Sequence, residues 1–286
     1  MTLLSSCVAR KRAITRKTRP DQQLLVADKA DLLNRIGAAY EELRSFNATV
    51  DMVPAIGSAD KGAITEYKDI RAYIVYRRPV DIRLIGLYPV VRSKAFDMVS
   101  DGRDFKVYLP GKNRFVMGRN DLAAKSKNRM ENLRPQHFLD AVVIRPVHTE
   151  DGWTILGNIT DEETAVYLLQ VVTRGKRPED LRLTRQLWFD RATLEPVRQI
   201  LFDEAGNIAT DVRYKEWRRF DDIRFPRLIE LNRPQDEYGV VITVLKMDVN
   251  EPLDDAKFAL DQPAGVTVQV LGESRDGNPA GGSGKP

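Results

Sequence analysis

The sequence predicts a mainly β chain of the α+β class, in which a curved antiparallel sheet is covered by helices at two places. Three observations carry this. From Phe46 onward, apolar and polar residues alternate with a period of two through most of the chain. Turn-forming pairs such as Asp101-Gly102 and Pro110-Gly111 break these runs at hairpin spacing. Strands and helices do not alternate regularly, which argues against a doubly wound α/β fold. The chain has 286 residues, 42% of them hydrophobic and 30% charged, enough to bury a real core within one large β domain.

The elements follow in order. Leu4-Ser5-Ser6-Cys7 resembles a bacterial lipobox. Residues 1–7 are therefore expected to be the remnant of a lipoprotein signal peptide, with Cys7, the only cysteine, as the lipidation site. Residues 8–23 read as a basic linker: Arg10, Lys11, Arg12, Arg16, Lys17 and Arg19 occur with no acid between Val8 and Pro20. Beside a lipid anchor they would favour an anionic membrane surface. This stretch accounts for the formal charge of +4 and leaves the body near neutral, so no nucleic acid partner is expected. No run approaches the roughly 18 apolar residues of a membrane-spanning helix.

Residues 24–45 read as an amphipathic helix, with Leu25, Ala30, Leu32, Leu33, Ile36, Ala39, Tyr40 and Leu43 in three- and four-residue steps. Strands are then expected from Ala48, over Ala63–Arg78 as one long strand, and at Asp81–Tyr88, Ala95–Ser100, Phe105–Leu109 and Arg114–Met117. Asp121–Leu133 has helical composition, and Pro135–Ala141 adds a further turn. Strands resume at Trp153–Ile159, Ala165–Thr173, Leu183–Asp190, Val197–Asp203, Ile208–Trp217, Arg227–Asn232 and Val240–Val249. This gives ten or more strands in a domain spanning 24–271. The Gly-, Pro- and Ser-rich residues 272–286 read as a disordered tail.

The composition disfavours most catalytic chemistry. There are two histidines, His137 and His148, in no ligand-spaced pair, and they read as exposed loop residues. Cys7 has no partner nearby, and no GxSxG, GxxxxGK[ST] or strand-bound GxGxxG occurs. The acidic pairs Asp161-Glu162-Glu163, Asp221-Asp222 and Asp254-Asp255 fall at turns. No cofactor or metal is expected. A hydrolase with an unfamiliar site is the weakest reading, and a scaffold with a filled core is the rival to a binding protein.

The uncharged strand faces point to an apolar interior. The early strands offer Ile70, Ile74 and Tyr76, then Ile82 and Leu84, then Phe96 and Met98. Phe105, Val107 and Phe115 follow, then Val166, Leu168 and Leu187, and last Val240, Ile242 and Val244. The N-terminal helix adds Leu33, Ile36, Tyr40 and Leu43. Such a lining forms either a dry core or a pocket for acyl chains. The two helical segments are suited to act as plugs or lids.

Three stretches resemble the lipoprotein carriers and receptors of the bacterial Lol system (LolA/LolB-like). They are the helix end Tyr40-Glu41-Glu42-Leu43-Arg44-Ser45-Phe46-Asn47-Ala48; the series from Arg78-Pro79 through Ser100-Asp101-Gly102 to Leu109-Pro110; and Pro252–Phe258 with Pro263-Ala264-Gly265-Val266. The resemblance implies an unclosed antiparallel half-barrel of about eleven strands, with an N-terminal helix and a central helical lid over an apolar cavity. It further implies a monomeric, non-enzymatic envelope lipoprotein on the periplasmic side, anchored at the outer membrane, that holds a lipid acyl chain or a lipidated protein. The polar stretch Gly57-Ser58-Ala59-Asp60-Lys61-Gly62 departs from the receptors' protruding apolar loop.

Overall fold

The structure, a computed structural model, describes residues 23–271 except 59–62, 122–132, 149, 151, 162–163, 176 and 178. Cys7, most of the basic linker, the tail 272–286 and most of Asp121–Leu133 lie outside the described residues.

Helix α1 spans Lys29–Glu42, shorter at both ends than the 24–45 expected. Asp28 stops it from extending backwards. Its Oδ1 accepts from Asp31 N (2.8 Å) while Asp31 Oδ2 accepts from Asp28 N (2.9 Å), a reciprocal cap. The strands are β1 (Ser45–Ser58), β2 (Ala63–Glu66), β3 (Ile70–Arg77), β4 (Asp81–Leu87), β5 (Lys94–Ser100), β6 (Asp104–Leu109) and β7 (Arg114–Arg119). Helix α2 (Pro135–Val142) interrupts them. Then come β8 (Trp153–Thr160), β9 (Ala165–Arg174), β10 (Leu181–Asp190), β11 (Pro196–Phe202), β12 (Ile208–Phe220), β13 (Ile223–Arg233), β14 (Tyr238–Val249) and β15 (Thr267–Leu271).

All fifteen strands join one unclosed sheet, ordered β15-β7-β6-β5-β4-β3-β1-β14-β13-β12-β11-β10-β9-β8, with β2 paired to β1 off this path. The eleven strands that the resemblance implies are an undercount, and two strands are added to the thirteen read from the sequence one by one. The stretch Ala63–Arg78 is two strands, because β2 pairs with the end of β1 and β3 with its beginning, one after the other along the edge opposite β14. The other addition, β15, pairs with β7 and makes the only parallel ladder among the described residues.

The sheet curves around α2. That helix packs on the neighbours β4 and β5 and also on β13, which stands well apart from them in the sheet order. Phe138, Leu139, Ala141 and Val142 of α2 are buried in the main core, among residues such as Ile74, Tyr76, Ile82, Leu84, Phe105, Val107, Ile242 and Val244. Helix α1 covers the far end of the concave face, where Leu32 and Ile36 meet Tyr167, Leu169, Leu187 and Phe189, with Leu33 at the margin.

Parity within two strands differs from expectation. On β9 the inward residues are Tyr167 and Leu169, so Val166 and Leu168 lie on the opposite face. Phe115 also faces outward, into a small cluster with Val99 and Leu260.

That outer cluster is covered by the chain between β14 and β15, which crosses the convex face as a strap. Side chains of the sheet pin its carbonyls. Arg77 donates to Leu253 O (3.1 Å), Arg83 to Lys257 O (3.1 Å) and Lys106 to Leu260 O (3.3 Å). Beneath the strap Asp97 is fully buried, bound bidentately by Arg83 (2.9 and 2.9 Å) and by Lys94 (2.7 Å).

Candidate functional site

Three of the cavities among the described residues border the core. The first lies at the mouth where β1 ends and β14 begins. It has a volume of about 620 Å³. Its wall is built from Met52, Pro54, Ala55 and Ile56 of β1, Ile70 of β3, Ala95, Phe96 and Met98 of β5, and Tyr238 and Val240 of β14. Phe138 and Leu133 close it from the α2 side, and Tyr67, Tyr88 and Pro89 form its rim. Among the described residues, Lys68 and Glu237 are its only charged lining residues. The wall is apolar because the inward period-two positions of four strands converge there.

The position of Phe96 depends on a glycine. Gly86 on β4 lies opposite Phe96 on β5. A Cβ at residue 86 would stand 2.3 Å from the Phe96 ring, so the ring occupies space that only glycine leaves open.

The rim continues into the β4–β5 loop. Val90 and Val91 are 97% and 72% exposed. Val90 also has φ of +70°, which a β-branched side chain rarely adopts. The tip is held by Val91 N donating to Pro89 O (2.8 Å) and Arg92 N donating to Tyr88 O (3.1 Å). An exposed apolar loop therefore exists at 88–91, whereas 59–62 lie outside the described residues. The sequence signal for it was Tyr-Pro-Val-Val at a turn, where polar residues are usual.

The second cavity, about 340 Å³, lies under α1. Ile36, Ala39, Tyr40 and Leu43 form its roof, and Phe189, Tyr214, Trp217 and Phe225 belong to its floor. The third, about 620 Å³, has the most polar lining of the three. Asp140, Arg145, Arg185, Gln199, Thr173, Thr184 and His148 contribute to it, along with Tyr40, Val143 and the β3–β4 turn at Pro79 and Val80. Burial holds the Asp140 carboxyl above its ordinary range, with the Arg145 guanidinium opposing the shift.

Of the sequence-predicted lining residues, Ile70, Phe96, Met98 and Val240 reach the first cavity and Ile36, Tyr40 and Leu43 the second. Ile74, Tyr76, Ile82, Leu84, Phe105, Val107, Ile242 and Val244 lie in the filled core around α2, and Leu187 in the core under α1. His137 is not an exposed loop residue. It sits half-buried on α2 with Nδ1 2.6 Å from the Tyr238 hydroxyl, whose own ionisation burial disfavours. His148 is exposed. Among the described residues no group of three His, Cys, Asp or Glu side chains could hold a metal ion, and no helix is long and apolar enough to cross a membrane.

The architecture is that of an unclosed β half-barrel with helices in its concavity and apolar space between them. Solved structures place this more narrowly: the chain has a LolA-like fold. It is similar to a DUF1329 family protein from Desulfovibrio piger (17% identity, TM-score 0.53, covering 80% of this chain and 95% of that one). It is similar also to a LolA superfamily protein from Nitrosomonas europaea (16% identity, TM-score 0.52, covering 80% and 97%). A third is described as an outer membrane lipoprotein-sorting protein domain from Vibrio parahaemolyticus (13% identity, TM-score 0.51, covering 79% and 94%). No family model matches the sequence, and no curated protein does.

Proposed function

We propose that this chain is a non-enzymatic protein of the bacterial cell envelope that holds one acyl chain, of a lipid or a lipidated protein, in the cavity between β1, β5 and β14. The observation that carries the reading is the cavity wall itself, about 620 Å³ bounded almost wholly by apolar side chains. Each methylene moved from water into such a wall contributes roughly 0.8 kcal/mol, so a chain of ordinary length supplies ample affinity without polar recognition. The LolA-like fold and the likeness to a lipoprotein-sorting domain support a role in lipid or lipoprotein transport. Cys7, outside the described residues, would anchor the protein to the periplasmic face of the outer membrane, with the basic linker against the lipid surface.

The test is native mass spectrometry of protein purified without detergent, paired with titration of a neutral fluorescent acyl probe. Bound lipid, or saturable probe binding at one equivalent, is the expected result. No lipid and no fluorescence gain would sink the reading. They would favour instead a scaffold whose exposed row Trp153, Ile155 and Ile159 on edge strand β8 meets a protein partner.

The β4–β5 loop would deliver or receive the chain at a membrane, since Tyr88 and Pro89 belong to both loop and cavity rim. Burying a valine side chain is worth roughly 1.5–3 kcal/mol. The Val90→Asp/Val91→Asp double variant is therefore expected to weaken binding of the unlipidated protein to anionic vesicles about tenfold or more in a sedimentation assay, with the neutral probe still bound. Unchanged sedimentation would remove the loop from the proposal.

A further inference from the structure

The sheet ends at β8, and that strand lacks the features that usually keep an edge closed. It is eight residues long, with no proline and no charged residue. It pairs with β9 in unbroken register from Trp153–Val172 to Thr160–Ala165, so no bulge twists it away. No strand lies on its other side among the described residues. Asp161 N donates back to Thr164 O (2.8 Å), which sets the odd-numbered residues as those bonded to β9. The Thr154 carbonyl accordingly points away from β9, where it accepts from Lys29 Nζ (3.3 Å). By the same alternation Leu156, Asn158 and Thr160 turn their N–H and C=O groups to the open side.

The outer face of this edge is apolar. Trp153 and Ile155 are 50% and 53% exposed, and Ile159 is 36% exposed. Val172 and Val166 stand across from Trp153 and Ile159 on β9. A strand added to β8 would bring its own side chains against this row.

The charges around the edge say what kind of strand fits. At one end Arg174 is exposed, its guanidinium 5.5 Å from the Trp153 ring centroid, and it pairs with no carboxylate among the described residues. At the other end Arg191 donates only to neutral oxygens, Asn158 Oδ1 (3.3 Å), Thr160 Oγ1 (2.8 Å) and Leu25 O (3.3 and 3.4 Å). Lys29 adds a third cation at the edge. Asp161, the acid that follows β8, is engaged in its own turn, accepting from Thr164 N (2.7 Å). A second copy of β8 is a poor occupant. Antiparallel self-pairing would set the Trp153 end of one copy beside the Thr160 end of the other, and so Arg174 of one near Arg191 of the other.

We infer that the open edge of β8 is a docking site for an extended, acidic segment of another protein. The segment adds a strand through main-chain hydrogen bonds, and its carboxylates meet Arg174 and Arg191 at the two ends. These cations stand roughly the length of the strand apart, about 23 Å at 3.3 Å per residue.

The test is fluorescence anisotropy on the whole chain with two labelled nine-residue peptides. Both alternate valine and threonine, and one carries glutamate at its ends where the other carries lysine. Wild type is expected to bind the glutamate peptide saturably and at least about tenfold tighter than the lysine peptide. Arg174→Glu, at an exposed position, should reduce or reverse that preference. Asn158→Pro removes an N–H on the open side, where an edge strand tolerates proline, and should weaken the glutamate peptide about tenfold or more with the circular dichroism spectrum unchanged. No saturable binding, equal affinity for the two peptides, or wild-type affinity in both variants would overturn the inference. So would a wild-type dimer in sedimentation velocity that Asn158→Pro dissolves, which would assign the edge to a second copy. The inference does not rest on the acyl-chain reading, which the neutral probe decides separately.

Discussion

Asp97→Ala is expected to lower the unfolding free energy by about 3–5 kcal/mol, the usual cost of removing one partner from a buried ion pair. The carboxylate is fully buried between β4, β5 and the strap, and it accepts three charge-assisted hydrogen bonds, two from Arg83 and one from Lys94. Arg83 is only 14% exposed, so the substitution strands its guanidinium away from water. The same arginine holds the strap through Lys257 O, so local loosening around Leu260 and Phe258 should accompany the loss. In a domain of this size each 1 kcal/mol moves Tm by roughly 2–4 °C, giving a fall on the order of 10 °C by calorimetry. Lys94→Met is the contrast: Lys94 is 48% exposed, and its loss should cost no more than about 1 kcal/mol. A Tm within 2–3 °C of wild type for Asp97→Ala would mean that the triad contributes little.

Ala95→Trp is expected to abolish binding of the neutral acyl probe. Ala95 stands in the wall of the mouth cavity beside Phe96, where its small side chain leaves space that an indole would occupy. A twelve-carbon chain draws its affinity from buried methylenes at roughly 0.8 kcal/mol each, so displacing four of them weakens binding by more than about 100-fold. Val240→Trp, on β14 across the same cavity, should do the same by an independent route. Both variants should keep the wild-type circular dichroism spectrum. Probe affinity within about threefold of wild type in both would exclude this cavity as the acyl site.

Much of this architecture could be read directly from the residues. Ile70, Ala72, Ile74 and Tyr76 alternate cleanly with Arg71, Tyr73 and Arg77, because β3 buries one face and exposes most of the other. The reading failed where both faces are covered. Val166-Tyr167-Leu168-Leu169 is apolar throughout, so its period-two phase carries no information about which side is the core. Phe115-Val116 is the same case: Val116 enters the main core while Phe115 is buried beneath the strap. Strand β15 escaped because it is five residues long and pairs with a strand about 150 positions earlier, a distance that no local pattern reports. The candidate site was only half visible. The apolar lining of the mouth could be read from alternation, but whether such a wall encloses space or packs solid is set by how side chains on distant strands meet, which no local pattern reports. The polar cavity was missed because Arg185 and Gln199 look like ordinary solvent-facing positions in an amphipathic strand.

The central seam of the sheet has a consequence for how the molecule comes into being. β3 to β7 zip together through neighbouring hairpins, and so do β8 to β14, but among the described residues these two ribbons are hydrogen-bonded into one sheet only where β1 meets β14. In that pair Phe46 lies beside Val249, about two hundred residues later. Closing so long a loop carries an entropic cost that local pairing does not, and topologies dominated by distant contacts assemble slowly. During synthesis or export the leading half can build its own ribbon, yet β1 keeps one bare edge until the last tenth or so of the folded region has emerged. Until then, the same edge is the natural place for a chaperone, or for a neighbouring unfinished chain, to bind.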